Sequence, residues 1–128
     1  RELINRLDEL GFAVLRSPSS GSRTKLDRPD ILAGGKGLYL AIEVKTTSKE
    51  TLYIESESIR QLVRFSQKFG AKPIVAVKFK HKRMNWLLIE PEELIQTNKG
   101  YKITLKQAKK EAKTLESLTT KNLGEYLK

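Results

Sequence analysis

Apolar positions recur along the chain in two periods, and each period marks a kind of element. Leu3, Ile4, Leu7 and Leu10 keep helical spacing and Gly11 follows them, which predicts an opening helix. Phe12 to Arg16 reads as a short strand. Asp30 to Ala33 and Leu38 to Thr46 read as two strands joined by Gly34-Gly35-Lys36-Gly37, a hairpin signal. Leu52 to Ile54 is a further short strand. Ile59, Leu62, Val63 and Ser66 form one stripe of a helix predicted over Ser56 to Phe69, with Gly70 at its end. Pro73 to Phe79 and Met84 to Ile89 make a second strand pair around the charged tip Lys80 to Arg83. Beyond them, Pro91 to Ile95 suggests a helical turn, Tyr101 to Leu105 an edge strand and Lys106 to Ser117 a basic helix. The expected fold is a small α/β domain around a mixed sheet flanked by helices, over residues 1–118, with a flexible tail at 119–128.

Between these periodic segments lies a polar stretch of thirteen residues, Ser17 to Pro29, that contains Arg23, Lys25 and Arg28. A loop of this length inside a small domain points to function or disorder. As an active-site loop it would offer hydroxyls and backbone N–H groups to a phosphate.

Charge narrows the range of partners. Among 128 residues, 25 Lys and Arg face 15 Asp and Glu, for a net charge of +10. The excess is shared: residues 99–128 carry eight Lys against three Glu, and residues 1–98 carry 17 basic against 12 acidic residues. A basic surface on the globular part itself suits a polyanion, nucleic acid above all. With no cysteine and one histidine, His81, disulfide scaffolds, thiolate sites and multi-His zinc sites are excluded within one chain. No apolar run approaches the ~20 residues that cross a bilayer, and no signal-peptide pattern opens the chain, so a cytoplasmic, nucleoid-associated protein without membrane contact is expected.

The segment Leu38 to Lys45 carries the candidate chemistry. Alternation puts Leu38, Leu40, Ile42 and Val44 on one side of a strand and Tyr39, Ala41, Glu43 and Lys45 on the other. Glu43 and Lys45 are thus held ~6–7 Å apart along a rigid element. If the preceding strand pairs through the glycine-rich turn, Asp30 reaches the same end. Two carboxylates beside a lysine suit metal-assisted phosphodiester hydrolysis, since carboxylate oxygens are hard ligands for Mg²⁺. The same three residues also fit an ordinary solvent-facing ion pair worth ~0–1 kcal/mol. From the residues alone both readings stand, alongside a non-catalytic basic nucleic-acid-binding module.

Pro29-Asp30 followed by Glu43-Val44-Lys45 is the PD-(D/E)xK nuclease pattern. The surrounding sequence resembles the archaeal Holliday-junction resolvases of the Hjc type. The resemblance is carried by Arg1-Glu2-Leu3-Ile4, Gly11-Phe12-Ala13-Val14 with Arg16, Ser20-Gly21-Ser22 and Ala41 to Lys45. Leu52-Tyr53-Ile54, Arg64 to Gly70 and Val75 to Phe79 extend it. It implies a restriction-endonuclease-like core and a homodimeric, Mg²⁺-dependent endonuclease, with Mn²⁺ as a substitute metal, that cuts four-way junctions at two opposed positions. Within the resemblance, Asp30 and Glu43 are metal-binding carboxylates, Lys45 serves the attacking water and Ser20 is a loop hydroxyl near the scissile phosphate. Arg16 and Arg23 hold phosphates, and Phe65 and Phe69, four apart on one helix face, form the dimer interface. Apart from the resemblance, Lys25 and Arg28 cluster with these arginines around the carboxylates as further DNA contacts or a solvated basic patch, and Arg1 is expected to contact DNA as well. Another branched or damaged DNA is the alternative substrate. Leu123, Tyr126 and Leu127 resemble a tail peptide for the DNA sliding clamp, with Thr120 where such peptides carry glutamine. The family also has a catalytic Glu immediately before the residue matched by Arg1; Glu2 is one step off that register. A molecule lacking it is expected to bind junctions while cleaving poorly.

Overall fold

The computed structural model describes residues 2–18 and 26–118. Helix α1 (Glu2–Glu9) leads into strands β1 (Ala13–Arg16), β2 (Ile31–Gly35), β3 (Leu38–Thr47) and β4 (Thr51–Glu55). Helix α2 (Ser56–Phe69), β5 (Lys72–Phe79) and β6 (Leu87–Ile89) follow. The described residues end with β7 (Ile95–Thr97), β8 (Gly100–Thr104), α3 (Leu105–Glu111) and β9 (Lys113–Thr114), with 3₁₀ turns at Pro91–Glu93 and Leu115–Leu118.

Two sheets form. The larger has strand order β1-β2-β3-β5-β6-β9, and the smaller has order β4-β8-β7. In the larger sheet only β3 and β5 run parallel. Parallel neighbours need a crossover, supplied here by β4 and α2. Such central strands are covered on both faces, which explains the nearly continuous apolar runs of β3 and β5. Leu38, Leu40 and Ile42 join Leu3, Leu7, Ile74, Ala76 and Trp86 in the core under α1. Ala41 points the other way, into a second core with Ile59, Leu62, Val75, Val77 and Phe79 under α2. The alternation expected for β3 is therefore realised, with Val44 packed partly on the α1 side.

The β2–β3 connection tightens to Lys36-Gly37, whose φ angles of 58° and 80° suit a two-residue hairpin that keeps the strands twisted together. Helix α2 has the expected bounds, buries Ile59, Leu62 and Ser66, and ends where the Gly70 and Ala71 N–H groups both donate to the Ser66 carbonyl.

Three expectations are corrected. The segment Tyr101 to Leu105 is not at an edge: β8 is the middle strand of the smaller sheet, between β4 and β7. Met84 to Trp86 is irregular, so β6 is short. The basic helix stops at Glu111, because Ala112 is extended and Lys113 and Thr114 pair with Leu88 and Leu87. A continued helix would keep Leu115 on the face of Leu105 and Ala108. The sheet pairing instead sends Leu115 and Leu118 into the opposite core, where both are fully buried.

Gly100 is required by a close approach. Its φ is 155°, and a Cβ there would collide with the carbonyl oxygen of Ile54 across the β4–β8 pair. Gly100→Ala is expected to cost about 1–3 kcal/mol of stability, read as a lower midpoint in thermal unfolding by circular dichroism.

Candidate active site

The hairpin register brings the acidic residues together. Ile31 pairs with Ile42, so Asp30, one residue earlier, falls opposite Glu43 on the α2 face. The Val44 N–H donates to Asp30 Oδ2 at 2.7 Å, fixing that carboxylate against β3. From the other side the Asp30 carbonyl accepts from the Ser17 N–H at 2.9 Å, and Ser17 Oγ donates to the Pro29 carbonyl at 2.5 Å. Lys45 Nζ lies 3.5 Å from Glu43 Oε2. The two carboxylates and the ammonium named from the sequence therefore converge where β2 meets β3.

Glu43 is mostly buried, its side chain 17% exposed. Burial pushes its carboxyl above the ordinary range, and the negative charge of Asp30 adds to the rise, while Lys45 opposes it. For a carboxyl raised on folding, the proton is held more tightly in the folded chain. Its stabilising contribution is complete below the ordinary value of 4.5 and is lost as pH climbs through the raised value. Metal-free Glu43→Gln is accordingly expected to melt higher than the unaltered chain at pH 7, with the gap closing below about pH 4. Thermal melts across pH measure this; an unchanged gap would show that Glu43 carries no burial penalty.

Asp30 and Glu43 open onto a cleft of about 580 Å³. Its walls include Arg16 and Ser17 at the end of β1, Arg28 to Ile31, Glu43 and Val44, Leu3 and Ile4 from α1, Gln61 from α2, and Trp86. Arg16 and Arg28 thus stand at the carboxylates as the sequence suggested. Gln61 was not foreseen, although it lies four residues before Phe65 and so on the same side of α2. Trp86 packs in the core and also lines the cleft, with Lys78 Nζ 5.6 Å from its ring centroid. Tyr39 shares the face of Glu43 but packs edge-on against Phe69, with ring centroids 6.1 Å apart, and is not part of the cleft wall. Ser20, Arg1, Arg23, Lys25 and the Leu123, Tyr126, Leu127 cluster lie outside the described residues.

The approach to Asp30 is tethered. Arg64 on α2 makes a forked contact with Asp27, at 2.9 and 3.1 Å, and reaches Glu57 at 3.1 Å. The hydrogen bonds from Arg64 hold the Asp27 carboxyl below its usual range. Asp27, three residues before the candidate ligand, is thereby joined to α2.

The donor set suits a hard divalent cation. Asp30 and Glu43 offer oxygens from two carboxylates whose mutual repulsion a cation relieves. Mg²⁺ characteristically takes one or two carboxylates and completes its shell with water and phosphate. Among the described residues no group of three or more His, Cys, Asp or Glu gathers as a richer metal cage.

A model of the family described as archaeal Holliday junction resolvase (hjc) matches residues 1–123. The chain belongs to the Hjc family. It is 42% identical over 103 residues to the crossover junction endodeoxyribonuclease Hjc of Methanocaldococcus jannaschii, covering 80% of this chain and 71% of that one. Against the crossover junction endodeoxyribonuclease Hjc of Archaeoglobus fulgidus, identity is 39% over 103 residues, covering 80% of this chain and 74% of the other. The 1.6 Å structure of Archaeoglobus fulgidus Hjc, a Holliday junction resolvase from an archaeal hyperthermophile, superposes with a TM-score of 0.82 at 32% identity, over 92% of this chain and 97% of that one. The mixed sheet with helices on both faces is thus the PD-(D/E)xK-like fold of Hjc, as the resemblance implied. No described helix is long and apolar enough to cross a membrane.

Proposed function

We infer that this chain is a structure-selective endonuclease that resolves four-way DNA junctions by Mg²⁺-dependent phosphodiester hydrolysis at two opposed positions. The observation that carries the reading is the Asp30 carboxylate, fixed on the Val44 N–H beside Glu43 at an open cleft, with Lys45 paired to Glu43, in a member of the Hjc family. Asp30 and Glu43 would hold the metal, which when bound supplies Lewis-acid polarisation of the scissile phosphodiester. The remaining work falls to side chains. Arg16 and Arg28 at the cleft hold flanking phosphates as forked cations. The Lys45 ammonium, 3.5 Å from Glu43 Oε2 and so beside the group that would hold the metal, would orient the attacking water. The mostly buried position of Glu43 keeps bulk water from competing for its oxygens.

Two opposed cuts call for two sites related by a two-fold axis, which a C₂ dimer provides. The aromatic face of α2 supports this arrangement. Phe65 stacks on Phe69 with centroids 5.5 Å apart and planes 13° apart, and Phe69 and Tyr39 remain about half exposed, at 48% and 55%. Leu15, 71% exposed, lies on the same face of the adjoining edge strand. Phe69→Glu is expected to convert dimer to monomer in sedimentation and to replace paired cuts by single nicks. A variant that sediments as the unaltered chain removes this face from the interface.

The deciding assay is gel electrophoresis of synthetic four-way junction, flap, nicked and linear DNA with and without Mg²⁺. Symmetric paired nicks on the junction alone, only with metal, are expected. Preference for the flap or nicked substrate would assign the same site to another branched or damaged DNA. Binding without any cleavage, in a molecule that carries the acid before Arg1, would leave a nucleic-acid-binding module.

A further inference from the structure

The β5–β6 turn carries charge that the cleft does not use. Lys80, His81, Lys82 and Arg83 follow one another across it, and Lys78 precedes them on β5. Lys78 is engaged by Glu2 at 2.5 Å. Among the described residues no ion pair engages Lys80, Lys82 or Arg83. Three cations within four residues repel one another, and Lys80 and Arg83 are exposed. The turn is shaped by its backbone instead. The Lys82 N–H donates to the Phe79 carbonyl at 3.1 Å, the Met84 N–H to the Lys82 carbonyl at 2.8 Å, and the Lys80 N–H to the Thr47 carbonyl at 2.8 Å. The cations therefore project from a braced knuckle tied to the end of β3, which lowers the ordering cost of a contact.

Its position relative to the carboxylates follows from register. β3 and β5 are parallel with Glu43 beside Val75 and Thr47 beside Phe79. Thr47 is four residues past Glu43, ~13 Å along the strand. On the return path, Trp86 of the cleft wall comes three residues after Arg83, a span of at most ~11 Å. An interval of ~13 Å equals about four base-pair steps of B-form rise.

We propose that the Lys80–Arg83 turn is a second phosphate-contact site, which grips the backbone of a junction arm about four base pairs from the scissile phosphate. The position of the cut rests on the nuclease reading above; the contact itself concerns binding. Bound to phosphates and not to base edges, the turn holds the arm against the cleft without sequence preference.

The test uses the full chain in EDTA, with fluorescence anisotropy of a labelled four-way junction over a range of salt. The triple variant Lys80→Ala, Lys82→Ala, Arg83→Ala is compared with Lys106→Ala, Lys109→Ala, Lys110→Ala on exposed positions of α3, which removes the same charge. The turn variant is expected to bind about 10- to 100-fold more weakly at 50 mM salt, with a log–log salt slope shallower by about two to three, while the α3 variant keeps the original slope. Single methylphosphonates scanned along each arm should weaken the unaltered chain, and not the turn variant, about three to five nucleotides from the nick. A turn variant with unchanged slope, or an α3 variant that loses as much, overturns the proposal while leaving the nuclease reading intact. An unaltered chain that binds no junction overturns both.

Discussion

Glu43→Gln and Asp30→Asn are each expected to lower single-turnover cleavage of a four-way junction in Mg²⁺ by about 10³-fold or more, equivalent to about 4 kcal/mol of transition-state stabilisation. Junction affinity in metal-free buffer should stay within about twofold or rise slightly, because each change removes negative charge near DNA. Asparagine at position 30 retains a carbonyl oxygen for the Val44 N–H, so the loss isolates the charge and not the hydrogen bond. Glutamine at position 43 is expected to raise the melting point at neutral pH, since the burial penalty on its carboxylate disappears. Lost activity together with gained stability cannot come from unfolding. Such opposition is the usual signature of a site in which stability is given up for chemistry. Cleavage by Glu43→Gln within tenfold of the unaltered chain would take Glu43 out of the mechanism.

Junction affinity is expected to fall by about 10³-fold or more between 50 and 200 mM monovalent salt, the behaviour of a protein that displaces counterions from six or more phosphates. The net charge of +10 and the arginines at the cleft, Arg16 and Arg28, supply the cations. Arg16→Ala should flatten the log–log slope by about one without altering preference among junction sequences, as befits a contact to backbone. A nearly flat titration would mean that the DNA is held chiefly through uncharged contacts, and the basic surface would then need another explanation.

The central part of this fold was open to reading from the chain because its signals are local and doubled. In β3, alternation and the Glu-Val-Lys spacing point to the same strand, and the glycine-rich turn before it fixes its partner. Helix α2 shows a stripe, a terminating Gly70 and an aromatic pair on a second face, which agree on its bounds. The C-terminal third was less legible. Leu105, Ala108, Ala112 and Leu115 keep helical spacing, yet Leu115 is buried on the far side of the sheet from Leu105. That outcome depends on pairing of β9 with β6, a tertiary contact with no trace in the periodicity. The middle place of β8 is equally non-local, since it follows from β4 joining a sheet of its own. At the site, Asp30, Glu43 and Lys45 were readable through residue type and spacing. The cleft's Gln61 and Trp86, and the Arg64–Asp27 tether, come from elements distant in sequence and needed coordinates.

The Lys36-Gly37 turn has a consequence for how this hairpin can vary. One carboxylate stands on each arm, and only the number of residues between them sets which oxygens meet. Insertion of a single residue at the bend would rotate one arm's acid toward hydrocarbon and leave its neighbour facing an alkyl chain. Lengthening by two would restore the facing direction yet slide the acids past each other by a full pleat repeat. The bend therefore works as a ruler for the chemistry, and its length is far less free to drift than that of an ordinary surface loop.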